Sequence, residues 1–161
     1  MEKIALALGS NEGDRLAALR AAVKALGRYV DVIATSSVYE TAPLYIDDQP
    51  LFLNAALTGT TKLTPLALMW NIKQLETALG RTPTYRYGPR RIDIDIIFYD
   101  DQVIATPELT LPHPYMAERE FVLRPLADIA PDWKHPQTGL MVREMLAQLP
   151  NTKPANLGPL G

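Results

Sequence analysis

The residues most able to do chemistry lie in one run, from Gly88 to Ile97, where two aspartates alternate with isoleucines directly after a cluster of arginines. Side chains on a strand alternate between its two faces, so Asp93 and Asp95 share one face and the isoleucines share the other. The apolar face can pack into a core, and the opposite face then presents two carboxylates side by side. Two such charges repel each other unless a cation lies between them.

Magnesium suits this pair, because Mg²⁺ is bound through one or two carboxylates, keeps several waters and shares its other positions with substrate phosphates. Residues 81 to 91 contain no acid and carry the arginines Arg81, Arg86, Arg90 and Arg91. Guanidinium groups are natural partners of phosphate. The run therefore predicts a site for magnesium and a nucleotide. Alternating Ile and Asp is also typical of a half-exposed edge strand whose acids are solvated or pair with nearby arginines, and the run alone leaves both interpretations open.

Length and composition favour one domain, which we place at residues 1–150 of the 161. A hydrophobic fraction of 47%, a charged fraction of 21% and a net charge of −2 are ordinary for a globular protein and argue against a general binder of nucleic acid. No apolar run is long enough to span a membrane, so we expect no membrane partner. The absence of cysteine removes disulfides and thiolate metal sites. We expect a cytoplasmic protein.

The elements that must position the aspartates follow from periodicity. Strands are predicted over 4–8, 30–39 and 52–61 and at the aspartates, and helices over about 14–27, 64–80 and 142–149. This order predicts an α+β fold with a ferredoxin-like antiparallel sheet and helices packed on it. Residues 44–51 have no consistent period and predict a mobile loop. Eleven of the fourteen prolines follow residue 80, which predicts a loop-rich second half, and the tail 151–161 is expected to be disordered.

Two further groups of polar residues lie at the ends of predicted elements. On the strand from residue 52, Phe52 and Asn54 face the same way, and an Asn amide can read a heterocycle by donor and acceptor at once. Ser10, Asn11 and Asp14 precede the first helix. They predict caps of that helix, with a phosphate at its N-terminus as the alternative.

Taken together, these pieces resemble the 6-hydroxymethyl-7,8-dihydropterin pyrophosphokinase family over nearly the whole chain. The block at 88–95 is the most specific match. The matching segments, in order, are Leu8-Gly9-Ser10-Asn11, Ser37 to Pro43, Phe52 to Ala56, Glu76 with Leu79-Gly80-Arg81, Gly88 to Asp95, and Leu111-Pro112-His113-Pro114 followed by Arg119 and Phe121.

The resemblance implies an α/β/α sandwich and an ATP-dependent enzyme of folate biosynthesis. The implied reaction moves the β,γ-pyrophosphate of ATP onto the hydroxymethyl oxygen of the reduced pterin and releases AMP. It also implies two Mg²⁺ ions held by Asp93 and Asp95, with Arg81 and Arg90 beside them as catalytic residues. In-line transfer of this kind depends on positioning and charge neutralisation more than on a general base. We expect a monomer.

The resemblance also implies the substrate-binding residues. The pterin is expected between Phe52 and Phe121, with Asn54 and the backbone near Thr41, Pro43 and Leu44 binding its edge. Residues implied at ATP, or in the loops closing over it, are Lys73, Glu76, Arg86, Tyr87, Ile96, Thr110, His113 and Arg119. Without the resemblance, Phe121 is a core residue, His113 belongs to a surface turn, and Lys73 and Glu76 form a solvated helix face.

Departures from the family pattern are expected to affect nucleotide affinity more than reaction type. Pro83 and Glu108 stand where some members carry arginine. Two other functions stay open from the sequence. One is a ferredoxin-like module that holds a nucleotide or RNA on its sheet without chemistry, which leaves the paired aspartates unexplained. The other is an enzyme that transfers a nucleotidyl group or a single phosphate. Its products would distinguish it, because only pyrophosphoryl transfer yields AMP and a diphosphorylated acceptor.

Overall fold

The computed structural model describes residues 1–42, 50–80 and 90–161. These ranges form an α+β fold in which a sheet lies between two layers of helices. The elements, in chain order, are β1 (Glu2–Ser10), α1 (Arg15–Leu26), β2 (Asp31–Thr35), β3 (Ser37–Thr41), β4 (Phe52–Thr61), α2 (Pro65–Ala78), β5 (Asp93–Tyr99), β6 (Ile104–Ala105), β7 (Thr110–Leu111), a 3₁₀ turn (Met116–Glu118), α3 (Glu120–Ile129), α4 (Val142–Ala147) and β8 (Ala155–Pro159).

The main sheet confirms the predicted ferredoxin-like arrangement. Strand β1 is central and pairs antiparallel with both β4 and β5, so that Ala7 lies between Ala56 and Asp95. Strands β2 and β3 both pair with β4, and β8 extends the sheet beyond β3. The order β5-β1-β4-β3-β8 brings the ends of β1, β3, β4 and β5 together on one side of the molecule. Strands β6 and β7 form a separate short hairpin.

Helices cover both faces of the sheet, which confirms the α/β/α sandwich. Helices α1 and α2 bury Leu19 and Ile72 against one face. The opposite face carries the second core, where Leu123 of α3 and Met145 of α4 pack around Phe98. Each face of the sheet therefore packs against its own layer of helices. The alternation of side chains along a strand decides which of the two faces each residue lies on.

Helix α2 begins where the sequence predicts. Thr64 accepts a hydrogen bond from the amide of Ala67 at 3.3 Å, and Pro65 occupies the first turn, where its missing N–H has no cost. Helix α1 is capped by Asp14, which accepts from the amide of Ala17 at 3.1 Å. Both helices lie on the face that buries the isoleucines of the aspartate run.

Strand β5 has the predicted faces over most of its length. Ile92, Ile94 and Ile96 are buried in the core under α1 and α2. A register shift opposite Ala5 and Leu6 then moves Phe98 into the other core. Because the shift follows the aspartates, Asp93 and Asp95 stay on the face that carries α3.

Helix α3 was not predicted, because Pro125 lies inside it. Proline lacks the N–H that continues a helix and crowds the preceding turn. The helix persists because Val122, Leu123, Pro125 and Leu126 are all buried on the sheet. Tertiary packing here outweighs the local signal that favoured a loop.

The prediction of a disordered tail is wrong for the last residues. Strand β8 pairs with β3, Leu160 is 2% exposed, and the carbonyl of Leu160 accepts from Arg20 Nε at 3.1 Å. The outer edge of β3 offers unpaired backbone groups, and pairing with them gives the Pro- and Gly-containing segment a fixed place. The predicted loop at 44–51 falls mostly outside the described residues. In the described part of the chain, no helix has the length and apolar character needed to cross a membrane.

Candidate active site

A cavity of about 340 Å³ lies where β1 and β3 end and where β4, β5 and α3 begin. Phe52 and Asn54 project into it from β4, as their predicted shared face requires, and Phe121 lines it from the first turn of α3. Thr41, at the end of β3, lines it as well. The structure therefore brings together the described residues predicted at the pterin. Two rings and one amide around a cavity of this size suit a flat, polar-edged heterocycle.

The amide of Asn54 has a fixed orientation. Its Oδ1 accepts a hydrogen bond from the hydroxyl of Thr41, and the side chain is 6% exposed. Gly9 lies opposite Asn54 on β1, where a Cβ would come within 3.1 Å of Asn54 Nδ2 and 3.5 Å of the Phe52 ring. No role for Gly9 was predicted from the sequence, although a glycine inside a strand often marks a close approach of this kind.

A second cavity, of about 380 Å³, adjoins the first. It is bounded by α2, by the start of β5 and by the β6–β7 hairpin. The described residues predicted at ATP that line this cavity but not the first are Lys73, Glu76, Ile96 and Thr110. Glu108, the departure from the family pattern, also lines it.

Four chemically active side chains border both cavities, namely Arg90, Asp93, Asp95 and His113. Arg90 Nη1 lies 3.6 Å from Asp93 Oδ1, so the guanidinium and the carboxylate share this junction. No group of three or more His, Cys, Asp and Glu side chains with metal-binding geometry occurs within the described ranges. Two carboxylates facing two cavities fit Mg²⁺, whose remaining ligands are then water and substrate phosphates.

His113 is neutral at the junction. Burial, with a smaller effect from the Arg119 charge, lowers its pKa to about 4. Its Nδ1 accepts a hydrogen bond from the amide of Tyr115 at 3.2 Å, which leaves the ring proton on Nε2. His113 can therefore donate one hydrogen bond to a phosphate oxygen without adding a charge. It is not the surface turn residue that its neighbouring prolines alone would suggest.

Arg119 stands at the entrance of the first cavity between two rings. Its guanidinium carbon lies 5.2 Å from the centre of the Tyr115 ring and 5.6 Å from that of Phe121. Both distances allow a cation–π interaction that holds the side chain in place. Tyr115 also lines the cavity but was missed by the sequence analysis, although it directly follows the quoted His113-Pro114.

Glu76 has a structural contact in addition to its place in the second cavity. Its side chain is buried, and Oε2 accepts the amide hydrogen of Ile94 at 2.8 Å. This bond ties α2 to β5 between the two aspartates. The alternative interpretation, that Lys73 and Glu76 lie on a solvated face of α2, is therefore wrong for Glu76. Lys73 is exposed at the rim of the cavity.

Asn11 and Arg91 differ from expectation. Asn11 does not cap α1. Its Oδ1 accepts from the amide of Arg90 at 2.7 Å, and its Nδ2 donates to the carbonyl of Pro50 at 3.2 Å. Arg91 lines neither cavity, and its side chain lies so close to Gly13 and Gly80 that a Cβ on either would come within 3.0 Å.

The remaining predicted site residues lie outside the described residues. They are Pro43, Leu44, Arg81, Arg86 and Tyr87, together with most of 44–51 and 81–91, the two loops expected to close over ATP. Their roles stay predictions.

The fold and these two cavities define a class of protein: a ferredoxin-like sandwich in which a cavity lined by two aromatic rings and an amide meets a second cavity at a pair of carboxylates. The family model described as 7,8-dihydro-6-hydroxymethylpterin-pyrophosphokinase (HPPK) matches residues 5–131. The chain belongs to this family.

Several relatives and solved structures are similar to the chain. It is 48% identical over 126 residues to the 2-amino-4-hydroxy-6-hydroxymethyldihydropteridine pyrophosphokinase of Bacillus subtilis, covering 77% of this chain and 75% of that protein. The folic acid synthesis protein FOL1 of Dictyostelium discoideum is 44% identical over 91% of this chain, which spans only 22% of that protein. The crystal structure of Plasmodium falciparum HPPK-DHPS wild type with pteroate has a TM-score of 0.76 at 20% identity, over 91% of this chain and 42% of that one, and so supports the fold.

Proposed function

We propose that this protein transfers pyrophosphate from ATP to the hydroxymethyl group of 6-hydroxymethyl-7,8-dihydropterin, releases AMP, and serves folate biosynthesis. Membership of the HPPK family supports this reaction. The observation that carries the proposal is the junction, because Arg90, Asp93, Asp95 and His113 border both cavities. Among the described ionisable residues of the two linings, only these four belong to both. Two substrates held in separate cavities would therefore meet at these four side chains.

The pterin occupies the first cavity in this proposal. Its ring stacks on Phe52 and Phe121, and its polar edge meets the oriented amide of Asn54. ATP occupies the second cavity, with Lys73 and Thr110 at its borders. The hydroxymethyl group of the pterin then points towards Asp93 and Asp95, and the phosphate chain of ATP reaches the same two side chains from the second cavity.

The transfer step needs alignment and neutralisation of charge. The hydroxymethyl oxygen forms a bond to the β-phosphorus as the bond to the α,β-bridging oxygen breaks, AMP departs, and the hydroxyl proton passes to solvent. Arg90 neutralises charge on the transferred group, and His113 Nε2 donates a hydrogen bond to it. Mg²⁺ ions, two in number and held by Asp93 and Asp95, supply further positive charge at the phosphates when bound.

Substitution of the aspartates tests this assignment. Asp93→Asn and Asp95→Asn keep the size of the side chain but remove its charge, so we expect AMP formation to fall by about a hundred- to a thousandfold, a typical effect of losing charge stabilisation in a transition state. Asp101→Asn, in the exposed turn after the same strand, is the matched control and should retain full activity. Unchanged AMP formation in either site variant, with the fold intact by circular dichroism, would reject the metal assignment.

A monomeric state and a cytoplasmic location, without nucleic-acid or membrane partners, are also part of the proposal. The net charge of −2 supports the absence of a general nucleic-acid surface. Sedimentation and cell fractionation test these points separately from the reaction.

A further inference from the structure

We propose that Arg15 is a positioning residue that fixes the entrance of the pterin cavity by joining β3 to β4. The inference rests on the proposed function for the identity of the ligand. Arg15 is the first residue of α1 and lines neither cavity, so it acts through the residues that it holds.

The contacts of Arg15 bridge two strands. Its Nη1 donates to Glu40 Oε2 at 2.8 Å and to the carbonyl oxygen of Leu51 at 2.8 Å. One guanidinium nitrogen carries two hydrogens, so both bonds form at once. Glu40 belongs to β3 and Leu51 directly precedes β4. The side chain therefore links the two strands at the end where residues 42–51 connect them along the chain.

The link lies next to the residues that shape the cavity. Thr41, the last residue of β3, pairs with Phe52, the first residue of β4. Thr41 directly follows Glu40 and Phe52 directly follows Leu51, the two residues that Arg15 binds. Thr41 in turn fixes the amide of Asn54. Displacement of the two strand ends would therefore move a stacking ring and the hydroxyl that orients the amide.

The ion pair alone does not carry the inference. Arg15 and Glu40 are 30% and 28% exposed, and ion pairs with this exposure stabilise a fold only weakly. The carbonyl of Leu51 makes the difference, because a charged donor shared between a carboxylate and a backbone oxygen defines the distance between two chain segments. A binding site loses affinity when its supporting contacts leave it loose by as little as about 1 Å.

Helix α1 offers a matched control in Arg20. Its Nε also donates to a backbone carbonyl, that of Leu160 at 3.1 Å, but this contact secures the C-terminal strand and Arg20 lines neither cavity. Arg15→Met and Arg20→Met thus each remove a guanidinium and keep an apolar stem of similar length on the same helix. Only the first breaks the link between β3 and β4.

The experiment compares the two variants with the wild type. Pterin affinity is measured by fluorescence titration, kcat and KM for ATP by AMP release, and amide hydrogen exchange at residues 38–41 and 52–55 on the free protein. We expect Arg15→Met to weaken pterin binding about tenfold, as losing a charged hydrogen bond would, with KM for ATP unchanged and faster exchange in both segments. Arg20→Met should leave all of these unchanged.

Equal pterin affinity in Arg15→Met and wild type, or an equal loss in both variants, would overturn the inference. Unaltered exchange at 52–55 in Arg15→Met would also overturn it, and this readout needs no ligand. A wild-type protein that binds no pterin would instead reject the proposed function, so the two failures are distinguishable.

Discussion

At the scale of single residues, the site depends on side chains whose state is set by their neighbours. Asn54 is oriented by the hydroxyl of Thr41, and His113 is kept neutral by burial. The sequence suggested Asn54 through the donor and acceptor of its amide, whereas His113 was suggested only by the resemblance to the pterin pyrophosphokinase family. The sequence could not give the tautomer of His113, which depends on an amide two residues later and on the covering of the ring by the fold.

His113 makes stability depend on pH. Its pKa is about 4 in the folded state against 6.5 as the ordinary value, so the unfolded chain binds the extra proton first as pH falls. The contribution of neutral His113 to the free energy of unfolding is fully present above about pH 6.5 and is lost progressively as the pH falls to about 4. We expect His113→Gln to lose less stability than wild type between pH 7.5 and 5, measured by urea denaturation. The same pH dependence in both proteins would contradict the assigned state.

Gly9 is expected to determine whether the pterin fits. In Gly9→Ala the added methyl group would stand 3.1 Å from Asn54 Nδ2, so the amide must shift or the strand must move. Overpacking of this kind costs about 1–3 kcal/mol, and we expect roughly a tenfold loss of pterin affinity. Titration with pterin checks this, and ATP binding in the same variant is the internal control. Retention of wild-type pterin affinity would show that the cavity has spare room at this point.

At the scale of elements, periodicity predicted those parts whose faces are clearly divided. Strand β4 places Leu53 and Asn54 on opposite faces of the sheet. Helix α2 has Thr64 as its cap at the start and Gly80, at a φ of 97°, after its end. Helix α3 and strand β8 were missed for one reason. Proline and glycine weaken the local signal, and burial on the sheet or pairing with a free edge restores the element only in the folded molecule.

The C-terminal segment is expected to contribute to stability through Leu160, which directly follows β8. Leu160→Ala removes a side chain that is 2% exposed and should lower the free energy of unfolding by about 2–4 kcal/mol. Leu157→Ala, within β8 and 56% exposed, is the control and should change it by less than about 0.5 kcal/mol. Chemical denaturation measures both. Equal effects would mean that the tail is not held as the structure describes.

At the scale of the whole molecule, the central feature is that two cavities meet at one group of ionisable side chains. The alternation of Asp93 and Asp95 predicted a pair of carboxylates on one face, and this part of the site followed from the sequence. The meeting point did not. Arg90 was predicted beside the pair, but His113 joins it only because the segment after β7 returns to β5, where the amide of His113 donates to the carbonyl of Ile97 at 3.0 Å.

The most direct test of this account is product analysis with the purified protein, ATP, Mg²⁺ and 6-hydroxymethyl-7,8-dihydropterin. The account predicts AMP and a diphosphorylated pterin in equal amounts, with no AMP when the pterin is omitted. ADP or free pyrophosphate as the product would indicate transfer of one phosphate or of a nucleotidyl group. Intact ATP in the presence of folded protein would contradict the account and favour a module that binds its ligands without chemistry.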